Sequence, residues 1–108
     1  MNLKYAIIGD PVEHSLSPVM HEAGFKYLNM NASYHRIRVS CSELKGGLDF
    51  LKKNNYSGWN VTYPLKEKIV PFLDHLTSSA SLIGAVNTVK SVSGQLHGHN
   101  TDGERSEE

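Results

Sequence analysis

Four short stretches of this 108-residue chain carry side chains suited to holding and protonating a small, oxygen-rich ligand. In GWNVTYPLK, residues 58–66, Asn60, Thr62 and Lys66 follow a tryptophan at the end of what reads as a buried strand, where a core strand needs neither amide nor cation. HSLSP places Ser15 and Ser17 at a predicted helix start, where free N–H groups and the helix dipole favour an anion such as a carboxylate. GAVNTV contributes Asn87, and GHNTDG contributes Asn100, Thr101 and Asp102. Asn60, Thr62 and Asn87 both donate and accept, as recognition of alcohol groups requires. Lys66 and Asp102 make a candidate proton-transfer pair, the lysine tuned toward the working pH by a nearby charge and partial desolvation.

Each residue also has a structural reading. A Ser-Pro helix start serves as a plain cap, Asn87 and Asn100 suit turns, and Thr101-Asp102-Gly103 suits a turn in which Asp bonds its own backbone. Lys66 read alone is a solvated helix residue, like Lys68. His97 and His99 share a strand face without a partnering cysteine or carboxylate set, so no metal site is expected. His14 and His21 flank the proposed pocket as packing or supporting groups.

These residues need elements that bring them to one place. LKYAIIG, residues 3–9, is a short apolar run closed by Gly9 and Pro11 and predicts a buried strand followed by a turn. Ser17-Pro18 then caps a helix whose apolar face is Met20, Ala23, Gly24, Tyr27 and Leu28, ending near Asn29 to Asn31. SYHRIRV predicts a second strand, with Tyr34 and Arg36 on one side and His35 and Ile37 on the other. Ser40 and Glu43 have capping-box spacing ahead of a helix striped by Leu44, Leu48 and Leu51 and weakened by Gly46 and Gly47. GWNVT is the third strand. PLKEKIVPFL predicts a helix that Pro71 interrupts, and a further helix is expected from Asp74 to Ile83, stopped by Gly84. AVNTVKSV and QLHGH read as a hairpin about Ser93-Gly94. The expected architecture is an open, mostly parallel α/β sheet with helices on both faces and one antiparallel hairpin. In such sheets ligands sit outside the carboxyl ends of the strands, where these polar residues fall.

Composition narrows the partners. Eleven Lys and Arg balance eleven Asp and Glu, leaving no net positive field to collect nucleic acid or an anionic membrane. Cys41 is the single cysteine, so no internal disulfide is available, as in a reducing cytosol. No apolar run has the length of a signal-peptide core or a membrane span, and a cytoplasmic protein is expected. Length allows one domain, and ERSEE at the end lacks apolar periodicity and reads as a frayed or artificial tail.

HSLSPVMH, GWNVTYPLK, GAVNTV and GHNTDG, in this order and at these separations, resemble the substrate-binding half of shikimate dehydrogenase, and the resemblance covers residues 4–103. It implies that Ser15 and Ser17 bind the shikimate carboxylate, that Asn60, Thr62 and Asn87 contact ring hydroxyls, and that Lys66 and Asp102 are the catalytic pair. The implied reaction is reversible reduction of 3-dehydroshikimate to shikimate with NADPH, in aromatic amino-acid biosynthesis. Members of the family continue past Asn-Thr-Asp-Gly into a Rossmann domain and return with C-terminal helices. This sequence stops at Glu108 and holds no G-x-G-x-x-G segment. The expectation is therefore a truncated substrate-binding domain, residues 1–103 with a tail at 104–108, lacking the NADP-binding domain. It would have at best traces of activity, and would self-associate through exposed apolar surface. Alternatives are a stand-alone shikimate- or quinate-like binding module and a quinate/shikimate dehydrogenase domain. Quinate-preferring relatives often have Thr where Ser17 stands, which leans toward shikimate.

Overall fold

A computed structural model describes residues 3–12 and 32–101. The predicted helix after Ser17 lies outside these residues. In chain order the elements are β1 (Leu3–Gly9), β2 (Ala32–Arg38), a 3-10 turn (Cys41–Glu43), α1 (Leu44–Lys53), β3 (Gly58–Val61), a second 3-10 turn (Val70–Phe72), β4 (His75–Leu76), α2 (Ser78–Ile83), β5 (Thr88–Val92) and β6 (Gln95–His99). The six strands form one sheet in the order β2-β1-β3-β5-β6-β4. β1 pairs in parallel with both β2 and β3, and β4 with β6, whereas β5 runs antiparallel to both β3 and β6. Among the described residues, five strands therefore share one direction and β5 is reversed.

Strand alternation builds the core. Ala6 and Ile8 of β1, Trp59 and Val61 of β3, Val89 of β5 and Leu96 of β6 point to one face and are nearly or fully buried. Leu44, Leu48 and Leu51, spaced at i, i+4 and i+7, turn one stripe of α1 onto that face, and Leu65, Ile69, Ala80 and Val86 complete the cluster. Burying each leucine stabilises the fold by about 1.5–3 kcal/mol before entropy is counted. Both described helices thus pack on the same side of the sheet. Gly47 lets α1 lie close to β2, since a Cβ there would come within 3.0 Å of a Val39 methyl. Ser40 and Glu43 form the predicted capping box ahead of α1.

Two predicted helices are corrected. Residues 64–73 do not form the PLKEKIVPFL helix. Pro71 has no N–H to offer the Glu67 carbonyl, which instead accepts from Val70 at 3.3 Å, so the segment tightens into the 3-10 turn at Val70–Phe72. The helix expected from Asp74 begins only at Ser78, capped by the Thr77 hydroxyl, which accepts from the Ala80 N–H. Asp74 is tied to β6 instead: its N–H donates to Leu96 O at 2.9 Å, and its carboxylate accepts from Leu96 N–H at 2.7 Å. That anchor lays His75 and Leu76 down as the edge strand β4. Gly84 ends α2 in the left-handed conformation, as expected. The hairpin turns at Ser93-Gly94, and its first strand starts at Thr88, so Ala85, Val86 and Asn87 precede it.

Candidate functional site

Strand direction gathers the polar residues. The carboxyl ends of β1, β3 and β6 and the amino end of the reversed β5 meet at one edge of the sheet, where Asn60 lies opposite Thr88 and Thr88 opposite His99. Asn87 sits between two strands: its carbonyl accepts from Val61 N–H at 2.9 Å, and its N–H donates to His99 O at 3.1 Å. Thr62 N–H donates to Ile8 O at 2.9 Å, which carries the β1–β3 pairing one step past the end of β3.

Side chains at this edge interlock. The Asn87 amide donates to Thr101 Oγ1 at 2.9 Å, while its Oδ1 accepts from Thr101 N–H at 3.2 Å and from the Thr88 hydroxyl at 3.0 Å. Asn60 Nδ2 reaches Asn87 O at 3.5 Å and Thr88 Oγ1 at 3.4 Å, and the Tyr34 hydroxyl donates to Asn60 Oδ1. Asn100 is buried and donates to Ala85 O at 3.0 Å, a supporting contact beneath the site. Burial pushes the Tyr34 phenol up to about 12.

Thr62 and Lys66 line one recess of about 530 Å³ together with Tyr63, Pro64, Glu67 and Lys68. Lys66 is half-buried, its carbonyl accepts from Val86 N–H at 2.8 Å, and its ammonium forms an ion pair with no described carboxylate. Asn60 lines a neighbouring cavity of about 240 Å³ with Tyr5, Tyr34, Gly58 and Thr88. The structure therefore links Asn60 with Asn87, and Thr62 with Lys66. Ser15, Ser17, Asp102, His14 and His21 lie outside the described residues.

Sequence reasoning missed Tyr34, which reads only as a strand residue. Its role comes from register, which the sequence does not display: Tyr34 lies opposite Tyr5, and Tyr5 opposite Gly58, so the third place in that row carries no side chain on the way to Asn60. Neither described helix start suits a dinucleotide pyrophosphate. The Glu43 carboxylate already stands at the start of α1 and would repel a phosphate, and α2 is only six residues long and capped by Thr77.

An open, mostly parallel α/β sheet whose strand ends present amides, a hydroxyl and an ammonium defines a small-molecule binding domain of the α/β class. A family model described as the shikimate dehydrogenase substrate binding domain matches residues 7–89, and the chain belongs to that family. The NADP(+) shikimate dehydrogenase of Desulfitobacterium hafniense is 57% identical over 99 residues, covering 92% of this chain and 36% of the relative. The shikimate 5-dehydrogenase of Thermus thermophilus, solved in complex with shikimate, superposes with a TM-score of 0.89 at 42% identity, over 93% of this chain and 38% of that one. The ligand-free 5-ketofructose reductase of a Gluconobacter species superposes with a TM-score of 0.93 at 33% identity, over 96% and 38%. The chain thus spans a little over a third of the length of the relatives it matches. No described helix is long and apolar enough to cross a membrane.

Proposed function

We propose that this chain is the substrate-binding part of a cytoplasmic, NADP-dependent shikimate dehydrogenase, and that it receives shikimate or 3-dehydroshikimate at the edge where β1, β3, β5 and β6 meet. The observation that carries the reading is the convergence of Asn60, Thr62, Lys66 and Asn87 at that edge in a chain of this family. Ser15 and Ser17 hold the carboxylate, and Asn60, Thr62 and Asn87 meet ring hydroxyls. Lys66 and Asp102 manage the proton of the oxygen that changes between ketone and alcohol, since reduction would otherwise leave an alkoxide. In this reading the chain supplies recognition and the proton, and the dinucleotide is held mainly by the part of the enzyme that this chain does not span.

Shikimate titration of the 108-residue chain, followed by backbone amide NMR, tests this. Saturable shifts centred on Ser15, Ser17, Asn60, Thr62, Lys66 and Asn87 are the expected result. A dispersed spectrum that does not move with shikimate overturns the claim that these residues receive it. Quinate and 5-ketofructose, titrated in parallel, separate the shikimate reading from its two nearest competitors. Self-association is also proposed, supported by Leu82 and Ile83, which are 86% and 51% exposed on α2. A sedimentation mass that stays monomeric at every concentration would overturn that part.

A further inference from the structure

Asn60 is engaged at both ends of its amide. Asn87 O can only accept, so the atom facing it must be the NH2 group, which also faces Thr88 Oγ1. Thr88 is free to accept there because its own hydrogen goes to Asn87 Oδ1. Oδ1 of Asn60 is therefore the end that meets the Tyr34 hydroxyl, and Tyr34 must be the donor. Tyr34 is 3% exposed, and the phenol stays protonated at any working pH.

We propose that Tyr34 is a positioning residue for the substrate site: its hydroxyl locks the Asn60 amide so that the second lone pair of Oδ1 is offered to a hydroxyl of the ligand. With both N–H bonds directed to Asn87 O and Thr88 Oγ1, Asn60 presents an acceptor and no donor to the cavity it lines. It selects a group that can give a hydrogen and rejects a ketone or ether oxygen at the same place. The inference rests on the reading of Asn60 as a ligand contact.

The test combines side-chain amide NMR of the 15N-labelled chain with shikimate titrations of the wild type, Tyr34→Phe, Asn60→Ala and the double variant. Tyr34→Phe removes only the hydroxyl. The Asn60 NH2 group is expected to rotate more slowly than that of exposed Asn55 in the wild type, and to speed up in Tyr34→Phe while the backbone spectrum stays dispersed. Shikimate affinity should fall about fivefold in Tyr34→Phe, the loss of one neutral hydrogen bond, with no further fall when Asn60 is already Ala. An equal loss with and without Asn60 overturns the proposal, because the tyrosine would then act by another route. Asn60 rotating as fast as Asn55 in the unmodified chain overturns it without any variant, so a Tyr34→Phe that failed to fold would not shield it. Wild-type affinity in Asn60→Ala sinks the ligand role of Asn60 instead, while the rotation rates still decide whether Tyr34 holds that amide.

Discussion

Asn87 and Thr101 hold each other by two hydrogen bonds, amide to hydroxyl at 2.9 Å and backbone N–H to amide oxygen at 3.2 Å. The pair ties the amino end of β5 to the residue just before Asp102. Asn87→Ala removes both bonds and leaves the backbone bonds of Asn87 to Val61 and His99 in place, so strand pairing survives. Amide exchange at Thr101 should then accelerate about tenfold, the effect of one lost hydrogen bond, with Val61 unchanged. Equal protection of Thr101 in the variant would mean that other contacts order this turn.

Lys66 should be dispensable for folding and essential for chemistry. Its backbone carbonyl anchors the segment through Val86 N–H whatever the side chain, and its ammonium forms an ion pair with no described carboxylate. Lys66→Ala is expected to keep the melting temperature within about 2 °C. Introduced into a full-length enzyme that also binds NADPH, the same substitution should lower turnover in 3-dehydroshikimate reduction about 10²- to 10⁴-fold with shikimate affinity little changed. A raised KM with normal turnover would make Lys66 a ligand anchor and remove its proton role.

Much of this scaffold is legible in the sequence because its strands and α1 carry strong periods. LKYAIIG and GWNV are buried runs closed by turn residues, and Leu44, Leu48 and Leu51 repeat at helical spacing. The failures are local. His75 and Leu76 make a two-residue strand, too short to show any alternation, and it exists because Asp74 binds Leu96 across 22 positions of chain. Residues 64–73 look helical by composition, yet the N–H missing at Pro71 acts on the carbonyl four residues earlier. At the site, residue types pointed to Asn60 and Asn87. What composition could not convey is the register that makes them partners, since the reversed β5 delivers Asn87 to the end of β3. Tyr34 was hidden for the same reason.

Gly9 sits where the ends of β1 and β3 touch. A Cβ there would collide with the Thr62 methyl and come within 2.8 Å of Tyr63 O, the carbonyl that accepts from Asp10 N–H. Backbone cannot yield as a flexible side chain does, so Gly9→Ala should destabilise the chain by about 1–3 kcal/mol. Because the displaced atoms belong to Thr62 and Tyr63, shikimate shifts at Thr62 should weaken as well. Chemical denaturation and the same titration read both effects. Wild-type stability with wild-type shifts would show that the loop moves aside without consequence.

Glu43 supplies a pH dependence whose sign can be worked out. The Ser40 hydroxyl donates to its carboxylate at 2.8 Å and the Ser40 N–H at 3.4 Å, and these bonds hold the carboxyl below the ordinary glutamate range, with Arg38 adding a smaller pull in the same direction. A group whose pKa is depressed on folding stabilises the folded state only while it is ionised. The contribution is complete above the unfolded value of about 4.3 and fades as pH falls through the lower folded value. The melting temperature should therefore decline across that acid window, and Glu43→Gln, which cannot ionise, should decline less. Ser40→Ala removes the largest cause, so the Glu43 carboxyl, followed by its side-chain 13C shift, should titrate closer to its ordinary value. If the midpoint in Ser40→Ala matches the wild type, the capping box is not what holds Glu43 ionised at the start of α1.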